Sequence, residues 1–306
     1  MNKNLRFFPV IFFKGMAMGM ADLIPGVSGG TIALVAGIYE RLINAISNLD
    51  KTAVSYLIQR KWNSFWSYVD GNFLLSLVLG ILTSIFLFSK LIRWLLHDYP
   101  VFIWSFFFGL VWASGIYLLL QIKHKNFWVW FFWILGIILA WYITSLVPFE
   151  GRPAGFYLFF SGFLASIAMI LPGISGSFIL VLLGSYAFIL QAVHELKIGV
   201  LLIVTVGVVT GLLSFSRLLK KLFRDYHDTT LGLLSGFLFG SLNKLWPWKE
   251  VIKKDIIEGK EIILQTRNVL PSDFSSDPHL FGALISAFAG VIILWFLEKA
   301  GKHNIS

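Results

Sequence analysis

The stretch Asp22-Leu23-Ile24-Pro25-Gly26-Val27-Ser28-Gly29-Gly30-Thr31 returns later in the chain as Met169-Ile170-Leu171-Pro172-Gly173-Ile174-Ser175-Gly176-Ser177-Phe178. Each copy sets the helix breakers Pro and Gly, then small hydroxyl residues, inside an apolar run about one membrane span long. A break at membrane depth strands backbone N–H and C=O groups, so it is tolerated only when buried in protein or lining a wet cavity. Paired breaks in corresponding halves of a chain are the sequence mark of a transporter binding site.

The likeness extends outward from the motif. In the same register, Gly15 matches Gly162, Gly37 matches Gly184, and Tyr39 matches Tyr186. In a second register, Phe88-Ser89-Lys90-Leu91-Ile92-Arg93 matches Phe215-Ser216-Arg217-Leu218-Leu219-Lys220. Asp98-Tyr99 with Asp225-Tyr226, Gly80 with Gly207, and Gly109 with Gly236 follow it. Gly136-Ile137-Ile138-Leu139-Ala140-Trp141 then resembles Gly290-Val291-Ile292-Ile293-Leu294-Trp295. The registers differ because each half carries an extra loop, near 47–71 and near 246–278.

Composition sets the solvent. The 306 residues are 57% hydrophobic and 13% charged, against about 25% charged in a soluble domain, and the mean hydropathy is +0.79. The chain therefore reads as an all-α polytopic membrane protein. Its 12 Trp and 30 Phe suit lipid-facing surface and interfacial belts. The net charge of +9 fits a positive-inside bias and anionic headgroups rather than nucleic acid. There is no Cys, hence no disulfide framework and no thiolate metal site. The six His show no metal-ligand spacing, so no metal, cofactor or catalytic residue is expected. Lys3 and Arg6 precede an apolar run as in a signal peptide, but no clear cleavage site follows, so the segment is expected to be retained.

A spanning helix needs about 20 apolar residues. Repeat 1 (1–147) offers spans at 72–96, 100–121 and 126–147; repeat 2 (148–306) offers 197–219, 229–246 and 279–298. Pro9 to Leu23 would be only about 21 Å of helix, short of the ~30 Å hydrocarbon core. Segments 5–46 and 155–193 therefore read as re-entrant hairpins with the motif at the tip. A hairpin plus three spans puts repeat 2 on the opposite face, giving two inverted-topology repeats in one membrane domain. A motif that merely broke a full span would make the repeats parallel. The Lys and Arg distribution places both termini in the cytoplasm and 246–278 outside. Gly232, Gly236 and Gly240 recur every four residues, a close-packing row.

Ser28-Gly29-Gly30-Thr31 opens the second arm of hairpin 1, with Ser28 a natural N-cap. A helix start in a dry site favours phosphate or carboxylate, and Ser175-Gly176-Ser177 offers the same from the other hairpin. Two tips meeting at the midplane would form one anion site; the alternative is that the hydroxyls only cap buried helices. Pro25, Gly26, Pro172 and Gly173 make the breaks. The asymmetric residues are Asp22 opposite Met169, Glu40 opposite Ala187, and Arg41 opposite Phe188. A carboxylate in the bilayer costs roughly 2.5–3.5 kcal/mol, so Asp22 is a functional candidate. It is expected to be protonated beside a bound phosphate, or neutralised by Lys14 or Arg41. Arg152 would guide an anion from the outer face, and Lys14 would either snorkel or serve the anion.

Gly19 through Ala33, with Gly37-Ile38-Tyr39-Glu40-Arg41-Leu42-Ile43, resembles the first signature of the polyprenyl-phosphate transporter (PopT) family. Ala168 through Ser177 resembles its second. The resemblance covers nearly the whole chain and implies return of undecaprenyl phosphate, the lipid carrier of cell-wall precursors, across the bacterial cytoplasmic membrane. Ser185 departs from the bulkier or basic residue expected before Tyr186. The implied partners are the polyprenyl-phosphate lipid and the bilayer, with a homo-oligomer left open and no nucleic acid. Two other readings stand beside it. A transporter of small hydrophilic anions would need a closed polar path, and a membrane lipid phosphatase would need a His nucleophile or acidic metal site that the sequence does not offer. A scaffold without substrate would leave Asp22 and both breaks unexplained.

Overall fold

A computed structural model describes residues 3–24, 26–149, 151, 153–257 and 260–302. Pro-Gly-x-Ser-Gly dictates the chain path twice. Helix α1 (Lys3–Asp22) ends at the first motif, α2 (Gly29–Val35) starts after it, and α3 (Tyr39–Ser47) follows another glycine. Later, α9 (Phe156–Ile170), α10 (Gly176–Leu182) and α11 (Tyr186–His194) repeat the sequence of elements. The turn glycines take matching left-handed conformations: φ is +87° at Gly26 and +85° at Gly173, +69° at Gly37 and +63° at Gly184. Any side chain would be strained there.

Each motif caps a helical hairpin. In the second, Tyr157 OH donates to Leu183 O at 2.8 Å, and the Ser161 and Ser185 hydroxyls meet at 2.8 Å. The far end of α10 thus lies beside the start of α9. Ser185 is fully buried in this contact, which explains the small residue where a larger one was expected. In the first hairpin, buried Lys14 plays the corresponding part, its Nζ donating to Ala36 O at 2.6 Å. Lys14 is therefore a pin across the hairpin, neither snorkelling nor facing an anion.

The remaining helices are α4 (Lys51–Ile58) and α5 (Trp62–Tyr68), then α6 (Gly71–Asp98), α7 (Pro100–Gln121) and α8 (Phe127–Ser145). After α11 come α12 (Ile198–Asp225), α13 (His227–Leu245) and α14 (Leu280–Lys302). Helices α6, α7, α8, α12 and α14 are long and apolar enough to cross a membrane; α10 and α11 add a sixth if that pair, bent by 106°, is counted as one span. The protein is thus an all-helical polytopic membrane protein with one exception to the helices. Segment 246–278, read as a loop, holds an antiparallel hairpin of β1 (Lys249–Ile257) and β2 (Lys260–Asn268).

Three expectations need correction. The segment 229–246 is helical as α13, but it is not apolar enough to count as a span by composition. Its glycines and serines suit it to burial among other helices. The first arm is also longer than the apolar run suggested: α1 has 20 residues with Pro9 inside it, about 30 Å, so length alone does not exclude a crossing. Finally, the span read at 197–219 continues as helix to Asp225, so Lys220, Lys221 and Arg224 lie within α12. This 28-residue helix is about 42 Å long and outruns the hydrocarbon core.

Packing is pairwise and glycine-mediated. α1 lies along α6, α9 along α12, α13 along α8, and α14 along α7, while α7 and α13 meet at the centre. Leu118, Leu234, Leu238 and Leu245 are almost fully buried there. Outward faces stay apolar, as at Phe86, Phe127 and Phe281. That is costly in water and favourable in lipid.

Candidate functional site

The two tips meet, and the motif hydroxyls make the junction. Helix α9 ends with carbonyls that have no intrahelical partner, and hairpin 1 supplies the missing donors. Ser28 Oγ donates to Met169 O at 3.2 Å, and Tyr39 OH donates to Ile170 O at 3.1 Å. In return, Gly173 N donates to Thr31 Oγ1 at 3.0 Å. Gly30 permits the approach, because a Cβ there would stand 2.7 Å from Ile170 O. Ser28, Gly29, Gly30, Thr31 and Tyr39 are all buried.

Within hairpin 1, Ser28 is the expected N-cap, its Oγ accepting from Gly30 N at 3.1 Å. Asp22 Oδ1 accepts from Gly29 N at 2.6 Å, so the carboxylate closes the loop between α1 and α2. The two bases named as its neutralisers serve other partners. Lys14 holds Ala36, and Arg41 makes a two-pronged bond to Asp70 at 2.6 and 3.0 Å. The Arg41 guanidinium also sits 4.5 Å from the Phe73 ring centre. Asp70 itself is held at φ +53° at the start of α6. Arg41 thus ties α3 to α6.

Tip 2 differs from tip 1. Ser175 makes no cap bond and pairs with Ser177 through their hydroxyls at 2.8 Å. Ser175 is buried, Gly176 is half-buried and Ser177 is exposed. Pro172 and Gly173 are buried. Pro25 and Arg152 lie outside the described residues.

Among the described residues, three cavities are lined without the tip serines. One of about 560 Å³ is lined by Glu40, Asn48, Arg217, Lys220, Lys221 and Arg224, among others. There Lys220 Nζ donates to Asn48 Oδ1 at 3.0 Å and Arg217 to Leu49 O at 3.2 Å. Glu40 lies 3.3 Å from His227. These contacts join α3 and the residues just after it to α12 and to the start of α13, with Tyr39 edge-on to Phe223. The corresponding α11 makes no extended contact with α6 among the described residues. A second cavity, about 510 Å³, holds Arg41 and Asp70. Glu40 and Arg41, adjacent in sequence, therefore face different spaces. A third, about 240 Å³, is lined by Lys244, Lys249 and Phe178.

Lys244 and Lys249 are absent from the sequence reading. Lys244 was hidden as the end of an apolar segment and Lys249 as part of a loop. One signal was available: by the register of Gly109 with Gly236, Lys244 stands opposite Tyr117, a charge the other half lacks. Among the described residues, no group of three or more His, Asp and Glu could hold a metal ion.

Two hairpins of one motif, meeting tip to tip among membrane-spanning helices, define a polytopic membrane protein of the transporter type. The chain belongs to the undecaprenyl phosphate translocase-like family, whose model matches residues 18–262. It is 42% identical to a polyprenyl-phosphate transporter of Vibrio cholerae serotype O1, over 94% of this chain and 95% of that one. It is 34% identical to a polyprenyl-phosphate transporter of Staphylococcus aureus, over 76% and 84% respectively. No solved structure matches.

Proposed function

We propose that this protein translocates polyprenyl phosphate, undecaprenyl phosphate foremost, across the bacterial cytoplasmic membrane. The observation that carries the reading is the tip junction. Ser28, Thr31 and Tyr39 side chains bond the Met169, Gly173 and Ile170 backbone, respectively, across 131 or more residues of sequence. A phosphate replacing those partners would find hydroxyls and amide N–H groups already converging. The Gly-rich tips let its oxygens approach the backbone. The headgroup passes between the tips with Ser28, Gly29, Gly30, Thr31, Ser175, Gly176 and Ser177 as its contacts, while the isoprenoid tail stays in lipid. Asp22 supplies proton coupling: protonation removes the negative charge that would repel the headgroup, while the remaining carbonyl oxygen keeps accepting from Gly29 N.

The two halves are inverted repeats, 1–147 and 148–306, with both termini in the cytoplasm. In support, the matched glycines within the long paired helices serve matched packing contacts. Gly15 packs on α6 as Gly162 does on α12, and Gly109 packs on α14 as Gly236 does on α8. The uneven docking of α3 on α12, without its counterpart, fits one half-state of an alternating cycle. The α3–α12 side is closed and the α11–α6 side awaits closure.

The test is reconstitution. Proteoliposomes with undecaprenyl phosphate in one leaflet should expose headgroup in the other only when protein is present, and faster with a proton gradient. Uptake of a soluble anion with no lipid movement would support the small-anion alternative, and release of inorganic phosphate would support the phosphatase. A cysteine placed at Leu270 should react with an impermeant reagent in intact cells and one at Lys123 should not; the reverse would overturn the orientation.

A further inference from the structure

We propose that Lys244 and Lys249 form a phosphate-monoester site beside the hairpin tips, distinct from the motif serines. The inference rests on the transport reading for its lipid ligand, but the site itself rests on the cavity. That space, about 240 Å³, is bounded by Thr144, Ser145, Asn243, Thr266 and Asn268 as well as the two lysines. Two cations, three hydroxyls and two amides face it, and no acidic side chain does among the described residues.

The position ties it to the junction. Lys244 packs against the tip-1 turn, its Cγ 2.9 Å from where a Gly26 Cβ would lie. Its Nζ sits 4.7 Å from the centre of the Phe178 ring, two residues past the start of α10. One side chain therefore touches both tips. Lys249 reaches back from β1 to donate to Lys244 O and lies 3.4 Å from the Trp104 ring centre. Burial, with the charge of Lys244 beside it, holds the Lys249 ammonium well below the usual lysine range. Two neighbouring lysines without a counter-charge gain most from a dianion, which favours their protonated forms, and a phosphate monoester carries about −1.5 to −2 near neutral pH. The volume takes a phosphate with several waters, at roughly 30 Å³ each. The competing role is capping alone: lysines at the ends of α8 and α13 complement helix C-terminal carbonyls. Capping accounts for the bond from Lys249 to Lys244 O. It does not account for Lys244 being turned toward both tips; the lining amides are ordered by bonds of Asn243 to Thr144 and Ser145 and of Asn268 to Asn243, and an entering anion would take over those donors.

A polyprenyl-phosphate headgroup and free phosphate share this chemistry, so the test uses both. Purified full-length protein in detergent is titrated with inorganic phosphate, with farnesyl phosphate and with farnesol, and Lys244→Gln and Lys249→Gln are compared after a check of folding. Each substitution should weaken farnesyl phosphate binding at least tenfold and leave farnesol unchanged. Because either variant could fail to fold, the wild type is also treated with an amine-acylating reagent and labelling is read by mass spectrometry. Phosphate or farnesyl phosphate should slow labelling of Lys244 and Lys249 but not of exposed Lys125. Protection by inorganic phosphate alone would support the site, assign it to free phosphate and count against the lipid reading. Farnesyl phosphate binding with neither protection nor loss in the variants would overturn the site and leave the transport reading standing.

Discussion

Gly136 on α8 and Gly236 on α13 meet backbone to backbone: a Cβ added to either would stand 3.1 Å from the Cα of the other. The matched pair, Gly290 and Gly109, brings α14 equally close to α7 through the Phe106 and Ala287 carbonyls. The third long helix of each half is thus packed on the second long helix of the other half. Such an exchange makes the two halves one folding unit. Neither can close its glycine seam alone.

Gly236→Val should therefore destabilise strongly, because the new side chain would meet the Trp133 backbone. A change of at least 1–3 kcal/mol is expected for overpacking without room to relax. Gly199→Ala is the control, since nothing lies within 4 Å of its added Cβ, and it should be neutral or gain up to about 1 kcal/mol. Thermal unfolding in detergent reads both. Equal melting temperatures would mean that the seam adapts.

The serines of the two tips should separate in their effects. Ser28 caps α2 and donates to Met169 O, so Ser28→Ala should cost about 0.5–2 kcal/mol of stability as well as substrate affinity. The Ser175 hydroxyl bonds only that of Ser177 among the described contacts. Ser175→Ala should leave the melting temperature close to wild type while weakening polyprenyl-phosphate binding about tenfold, as expected for one bond to a charged group. Wild-type affinity in both variants would remove the serines from the headgroup path.

The docking of α3 on α12 is the contact expected to open during transport. Asn48 and Lys220 are joined by a side-chain hydrogen bond, and the chain contains no cysteine. Asn48→Cys with Lys220→Cys should cross-link with a short bifunctional methanethiosulfonate, which joins the two thiols through disulfides, and stop lipid translocation, with activity returning on reduction. Full activity while cross-linked would show that this contact stays shut throughout the cycle.

Which parts of this were legible in the sequence follows from what each feature demands of side chains. Close helix approach requires the absence of a side chain, so Gly15, Gly80, Gly109, Gly136 and their partners could be matched before any fold was known. The tip breaks were visible for the same reason, through Pro172 and the left-handed Gly26 and Gly173. The tip-to-tip bonds were not, because their acceptors are the Met169 and Ile170 carbonyls, which any residue provides. Lys14 shows the same limit: its acceptor is a backbone oxygen, so a buried lysine looked like an anion ligand. Arg41 was matched with Asp22 rather than with Asp70 because Asp70 is 29 residues away across two short helices read as loop. The β-hairpin escaped because β1 mixes lysines and aliphatics without a strict alternation of period 2.

Asp22 offers the sharpest test of coupling. Its Oδ1 takes the Gly29 amide at 2.6 Å, and both carboxylate oxygens would crowd a Cβ at that glycine. An amide keeps an acceptor oxygen in the same place but cannot gain or lose a proton. Asp22→Asn should therefore preserve the hairpin, the melting temperature and lipid binding. A phosphate arriving between the tips would be repelled by an ionised Asp22, so the native acid must take a proton for the headgroup to settle, and the variant is spared that step. Translocation by Asp22→Asn should then proceed without acceleration by a proton gradient and with a flat pH profile, where the wild type depends on both. Proteoliposomes with imposed pH differences measure this directly. If the variant keeps the wild-type response, Asp22 serves only to close the loop onto Gly29, and the proton must enter elsewhere.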